Sequence, residues 1–135
     1  LIDLSYQYQH NDPSRSIELA QKALNISLST DNAFLKGKAY LQIAELYFLK
    51  GIYDKALFFL FEALNNFERT SAEKEFASCC EKIGKVYSAT GNLADAIMYF
   101  NKALSINKKL NLGLRDYDGN AKEIWTEWTL LVKSK

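Results

Sequence analysis

The feature that most constrains this chain is an interval of 40 residues at which its sequence repeats itself. Gln21-Lys22-Ala23-Leu24, Phe61-Glu62-Ala63-Leu64 and Asn101-Lys102-Ala103-Leu104 align without gaps. Upstream of these, Tyr40, Ile43, Ala44, Tyr47 and Gly51 recur as Cys80, Ile83, Gly84, Tyr87 and Gly91. Leu1, Leu4, Ser5 and Tyr8 fill the same roles in the first copy, with one residue fewer in the turn that follows. A segment returning at such a spacing is a supersecondary unit that cannot bury its apolar face alone, so stacked copies bury it jointly.

Each copy reads as two amphipathic helices. Tyr40, Ile43, Ala44 and Tyr47 follow the i, i+3, i+4, i+7 spacing of one helical stripe. Ala56, Leu60, Ala63, Leu64 and Phe67 form the facing stripe of the next helix. Small residues recur where two axes must approach: Ala44 or Gly84 on first helices, and Ala56, Ala63, Ala96 and Ala103 on second helices. The spacing predicts helices over 1–10, 13–29, 33–50, 53–68, 71–90 and 93–109. Gly51 and Gly91 stand where a helix end needs a left-handed residue. Asp12-Pro13 reads as an N-cap followed by the residue best tolerated at the first helical position. Thr70 with Glu73 reads as a capping box.

Residues 37–70 and 77–110 then carry, in order, large, aliphatic, Gly/Ala, Tyr, Gly, aromatic, Ala, large, Ala. That pattern resembles the tetratricopeptide repeat, and residues 1–29 fill most of it. The resemblance implies an all-α superhelix of three hairpins (1–29, 33–70 and 71–110) with a loop and a capping helix over 111–135. Ala121, Ile124, Trp125, Trp128, Leu131 and Val132 give that last helix its apolar stripe, and the alternative reading is the truncated first helix of a fourth repeat. The usual period is about 34 residues. The longer period here resembles tetratricopeptide regions of bacterial signalling proteins and of scaffold proteins that hold extended peptides, and the sequence departs from the family in lacking the proline that commonly ends the second helix, Glu68 and Lys108 standing there.

The resemblance also implies a function, that of a scaffold binding a protein or peptide. First helices would line its concave face, where Tyr6, Lys38, Leu41, Gln42, Glu45, Leu49, Lys82 and Lys85 are the candidate contacts. The alternative reading is a sensory input region of a larger histidine kinase or transcription regulator. Some relatives grip a C-terminal carboxylate, but the matching positions here are Ile2, Tyr6, Gln42, Ser78 and Lys82. Lys82 alone has the right chemistry, so no carboxylate clamp is expected. Phe58, Phe61 and Met98 fall at positions that such repeats usually keep polar, Glu18 and Gln21 being the first-hairpin equivalents. They form a second candidate interface, for a homodimer or for the rest of a longer protein.

Composition narrows the alternatives. Seventeen basic and sixteen acidic residues interleave, giving a net charge of +1. The clustered basic surface that nucleic acid requires is missing from the sequence. No apolar run reaches the ~20 residues of a membrane span, so no membrane contact is expected within this fragment. The chain opens on Leu1 rather than Met, which is read as a fragment. Its compartment is left open between cytoplasm and, for a membrane-bound sensor, periplasm. Cys79 and Cys80 are adjacent, a poor geometry for a disulfide, and read as small apolar fillers. His10, the single histidine, has no acid, Ser or Cys at catalytic spacing. Asp116 and Asp118 lack the distal Glu of a calcium loop. Asn25-Ile26-Ser27 is a glycosylation triplet, but on a predicted helix. No catalytic, metal or cofactor site is expected.

Overall fold

The computed structural model describes residues 1–110. The expected loop and capping helix of 111–135 lie outside the described residues. Six helices account for nearly all of the rest: α1 (Ile2–Tyr8), α2 (Pro13–Thr30), α3 (Ala33–Leu49), α4 (Tyr53–Arg69), α5 (Glu73–Thr90) and α6 (Leu93–Lys109). Two compact units divide the chain, Leu1–Ala72 and Glu73–Lys135. Helices α1 to α4 belong to the first, α5 and α6 to the second. Each is a set of antiparallel hairpins with no strand among the described residues, the helical repeat architecture that the periodicity predicts.

The 40-residue repeat is itself two halves of 20. Helices α3, α4, α5 and α6 begin at residues 33, 53, 73 and 93. Two residues before each start, the backbone turns left-handed: Asp31 (φ 52°), Gly51 (φ 75°), Ser71 (φ 56°) and Gly91 (φ 83°). This conformation ends one helix and reverses the chain within a few residues. Glycine adopts it without strain at two of the four sites. Asp31 and Ser71 hold it at a cost.

The caps divide between expectation and correction. Asp12 Oδ1 accepts from the Arg15 amide at 3.1 Å, and Pro13 opens α2, as predicted. Asn32 caps α3 in the same way, its Oδ1 accepting from the Leu35 amide at 3.0 Å. Thr70 does not cap α5. Its hydroxyl turns back to the Asn66 and Phe67 carbonyls at 3.3 and 3.2 Å and closes α4. The hydroxyl meets those orphan carbonyls before the left-handed turn at Ser71 separates it from α5.

In the first unit, Ala20, Leu24, Ala39, Ile43 and Leu46 form a buried cluster between α2 and α3, against which Ile2 and Phe59 also pack. Phe59 stacks on Tyr47 (5.6 Å, 5°) and Tyr40 (6.0 Å, 24°), joining α3 to α4. Forty residues on, Tyr87 and Tyr99 reproduce the Tyr47–Phe59 stack at 5.9 Å, joining α5 to α6. Both hairpins depend on close approaches. A Cβ on Gly37 would lie 2.7 Å from the Phe67 ring, and one on Gly84 would lie 2.8 Å from the Phe100 ring.

One expectation fails at α1. Leu1, Leu4 and Tyr8 align with the core stripe of α3, yet all three are exposed, and Ser5 is the single buried residue of the helix. Among the described residues α1 has α2 and α3 as neighbours, on one side only.

Candidate functional site

The first helices α1 and α3 lie side by side, and a buried polar node fixes their register. Ser5 and Ser16 are interlocked: Ser5 Oγ donates to the Ser16 carbonyl at 2.7 Å, and Ser16 Oγ donates to the Ser5 carbonyl at 2.6 Å. Gln42, fully buried on α3, donates through Nε2 to Ser5 Oγ at 3.0 Å and to Gln9 Oε1 at 3.3 Å. Every buried hydroxyl proton in this node has an acceptor, as burial of a hydroxyl demands.

The Gln42–Gln9 bond joins two helical stripes. On α3, Lys38, Gln42, Glu45 and Leu49 follow at i, i+4, i+7 and i+11. Tyr6 lies on α1, three residues before Gln9, which caps the C-terminal end of that helix. Tyr6 and Leu49 are exposed, and Lys38 and Glu45 are half-buried.

Two expected contacts leave this surface. Gln42 points inward because Ser5 and Gln9 take its amide protons. Leu41 is only 5% exposed, as the free energy of removing a leucine side chain from water favours. Neither can touch a partner without unpacking. In the second unit, Lys82 and Lys85 are half-buried on α5, and Lys85 pairs with Glu81 at 3.4 Å. They are described on that unit alone.

The aromatic surface of α4 is narrower than the sequence suggests. Phe58 is 59% exposed, its ring edge-on to Phe59 at 5.2 Å, whereas Phe61 is half-buried. Met98, the Phe58 equivalent on α6, is 53% exposed. Sequence reading missed the open stripe of Leu1, Leu4 and Tyr8, because by alignment it is a core stripe.

Chemistry-bearing groups give little to work with. Among the described residues, no three His, Cys, Asp or Glu side chains converge as a metal would need, and no helix is long and apolar enough to cross a membrane. His10 is exposed, its Nε2 3.2 Å from Gln9 Nε2. Both cysteines are free and buried, and burial pushes the Cys80 thiol up to about 11, against a smaller opposing pull from Lys102. A thiol so placed is a poor nucleophile. Ser27 of the glycosylation triplet is buried, its hydroxyl donating to the Leu24 carbonyl at 2.7 Å.

With this geometry in hand, the comparisons with known proteins are decisive for the family. The family model for soluble NSF attachment protein, SNAP, matches residues 1–131. The chain belongs to the SNAP family. No curated protein matches the sequence of this SNAP-family chain. Among solved structures, a kinesin light chain-type protein of Podospora anserina with nearly identical TPR-like repeats superposes with a TM-score of 0.75 at 15% identity. A point variant of that protein gives 0.74, also at 15% identity. Each match covers 93% of this chain, which spans 62% of the length of those proteins. At such identity the likeness is one of fold: tetratricopeptide-like helical repeats, an architecture that generally serves as a protein-interaction scaffold.

Proposed function

We propose that this SNAP-family chain is a docking module that binds a polypeptide segment along the outer stripes of α1 and α3, making and breaking no covalent bond. What supports the reading is the Gln42–Gln9 bond, which ties the end of α1 to the helix that carries Lys38, Glu45 and Leu49. Tyr6 and Leu49 act as apolar anchors. Lys38 and Glu45 fix the direction of the bound chain through charge pairs and backbone hydrogen bonds. The family's name, which denotes attachment to another protein, supports a docking role without naming this chain's partner. On α5, Lys82 and Lys85 are proposed contacts of the second unit; Phe58, on α4, is a proposed homodimer or docking contact of the first unit, and Met98, on α6, is proposed as one of the second unit. A carboxylate clamp is not part of the reading, since Gln42 is engaged internally.

The test is affinity capture with the folded chain and mass spectrometry, with crosslinks mapped on both proteins. Crosslinks to Lys38, and loss of capture on Tyr6→Ala/Leu49→Ala with helicity intact, are expected. Capture unchanged by that pair but abolished by Phe58→Ser would move the site to α4 and overturn the assignment.

A further inference from the structure

The small residues that recur in the three hairpins are not alike in chemistry. The repeat aligns Ser5 with Ala44 and Gly84, and Ser16 with Ala56 and Ala96. All six are buried. Hydroxyls therefore stand in the first hairpin where the other two carry a methyl or a hydrogen. Gln42, which reaches the first pair from α3, has Lys82 as its equivalent.

Stability is a poor reason for this node. Alanine fills the same small space in the other hairpins, and it brings no polar group that burial must satisfy. The node is also incomplete, because Gln42 Oε1 is buried with no hydrogen-bond partner among the described residues. That unpaired acceptor costs free energy, whereas an apolar set of the same shape would cost none. A buried polar group of this kind can instead decide which partner a helix accepts, as a buried asparagine does in coiled coils.

Tandem repeats need such a decision. Their apolar faces are similar, so hairpins of one chain, or of two copies, compete for the same neighbour. Gln42 tells them apart. The Ser5 proton goes to the Ser16 carbonyl at 2.7 Å, so Ser5 Oγ meets the Gln42 amide as an acceptor at 3.0 Å. A hairpin bringing Ala44 or Gly84 to that place offers no side-chain oxygen. The buried amide would then lose its partner and keep its desolvation cost. We infer that Ser5, Ser16 and Gln42 are a pairing code, which selects α1–α2 as the neighbour of α3 over the other hairpins of this chain or of a second copy. The code works without a bound polypeptide, so it stands apart from the docking reading.

The experiment is the variant Ser5→Ala/Ser16→Ala/Gln42→Leu, which removes the polar groups together with their partners. It is compared with the natural chain by urea unfolding and, after refolding, by amide proton–nitrogen NMR of α1 and α3. The urea midpoint should stay close to that of the natural chain. The natural chain should give one resonance for each amide. An unpaired buried amide disfavours the wrong pairing by about tenfold or more. The variant lacks that penalty, so it should show additional resonance sets, with minor forms at about a tenth of the major one or above. One resonance per amide in the variant would show that apolar packing alone selects the neighbour, and would end the proposal. So would a variant that no longer folds, because the node would then serve stability, or a natural chain that already shows several sets.

Discussion

A close approach in the second unit gives a quantitative prediction. Gly84 of α5 faces the Phe100 ring of α6, and a Cβ there would lie 2.8, 2.9 and 3.1 Å from three ring carbons. Phe100 is 1% exposed, so the ring has no room to withdraw. Gly84→Ala gains about 0.8–1.0 kcal/mol in helix propensity. It loses about 1–3 kcal/mol to overpacking. With three contacts this short on a confined ring, the upper half of that range applies, for a net loss of about 1–2 kcal/mol. The repeat supplies the compensating change, because the equivalents in the preceding hairpin are Ala44 and Leu60, both buried. Phe100→Leu alone removes apolar contacts and costs about 1–2 kcal/mol. The double variant Gly84→Ala/Phe100→Leu recreates the Ala–Leu pair, so it should be no less stable than Phe100→Leu. That outcome corresponds to a coupling energy of about 1–2 kcal/mol. Urea unfolding followed by far-ultraviolet circular dichroism measures all four proteins. Strictly additive losses would refute the claim that the pair trades volume across this contact.

Three further outcomes follow from single sites. Ser71→Gly relieves a non-glycine residue at φ 56° and should stabilise the chain by about 0.5 kcal/mol, the left-handed cost less glycine's entropy, read as a rise in the urea midpoint. Cys79 and Cys80 are both buried and should react with a thiol reagent only as fast as the native state opens, so the rate should rise steeply with added urea. Asp31 is hydrogen-bonded to Lys36 at 3.0 Å, which, with the Lys36 charge and a weaker pull from Arg69, lowers its carboxyl below the ordinary 3.8. A depressed carboxyl stabilises the fold above its unfolded value and loses that contribution as pH falls through its folded value. The Asp31 carboxyl signal in an NMR titration should therefore turn over below 3.8, and Lys36→Met should return most of the shift.

Local features were readable from the residues. Asp12-Pro13, Gly51 and Gly91 each act through bonds and dihedrals spanning a few positions, and all three are found in the predicted roles. The unread punctuation, Asp31 and Ser71, is equally local. Neither residue type is strongly biased to the left-handed region, so their roles show only through the 20-residue spacing they share with the glycines. Thr70 was misread because a hydroxyl between two helices can serve either, and the sequence does not say which helix it faces.

The sequence by itself determined the helical content, the hairpin period and the pairing of small with large residues. These follow from side-chain periodicity and volume, which are properties of the chain before it folds. Tertiary structure decided which side of each stripe is wet. Leu4 and Ile43 occupy equivalent positions, yet Leu4 is 44% exposed and Ile43 1%, because Ile43 sits in the cluster that α3 forms with α2. Gln42 reads as a surface residue in any helical projection. It is buried because Ser5 and Gln9, more than thirty residues away in sequence, satisfy its amide protons. Burial of a polar group depends on partners brought near by the fold, and no local pattern encodes them.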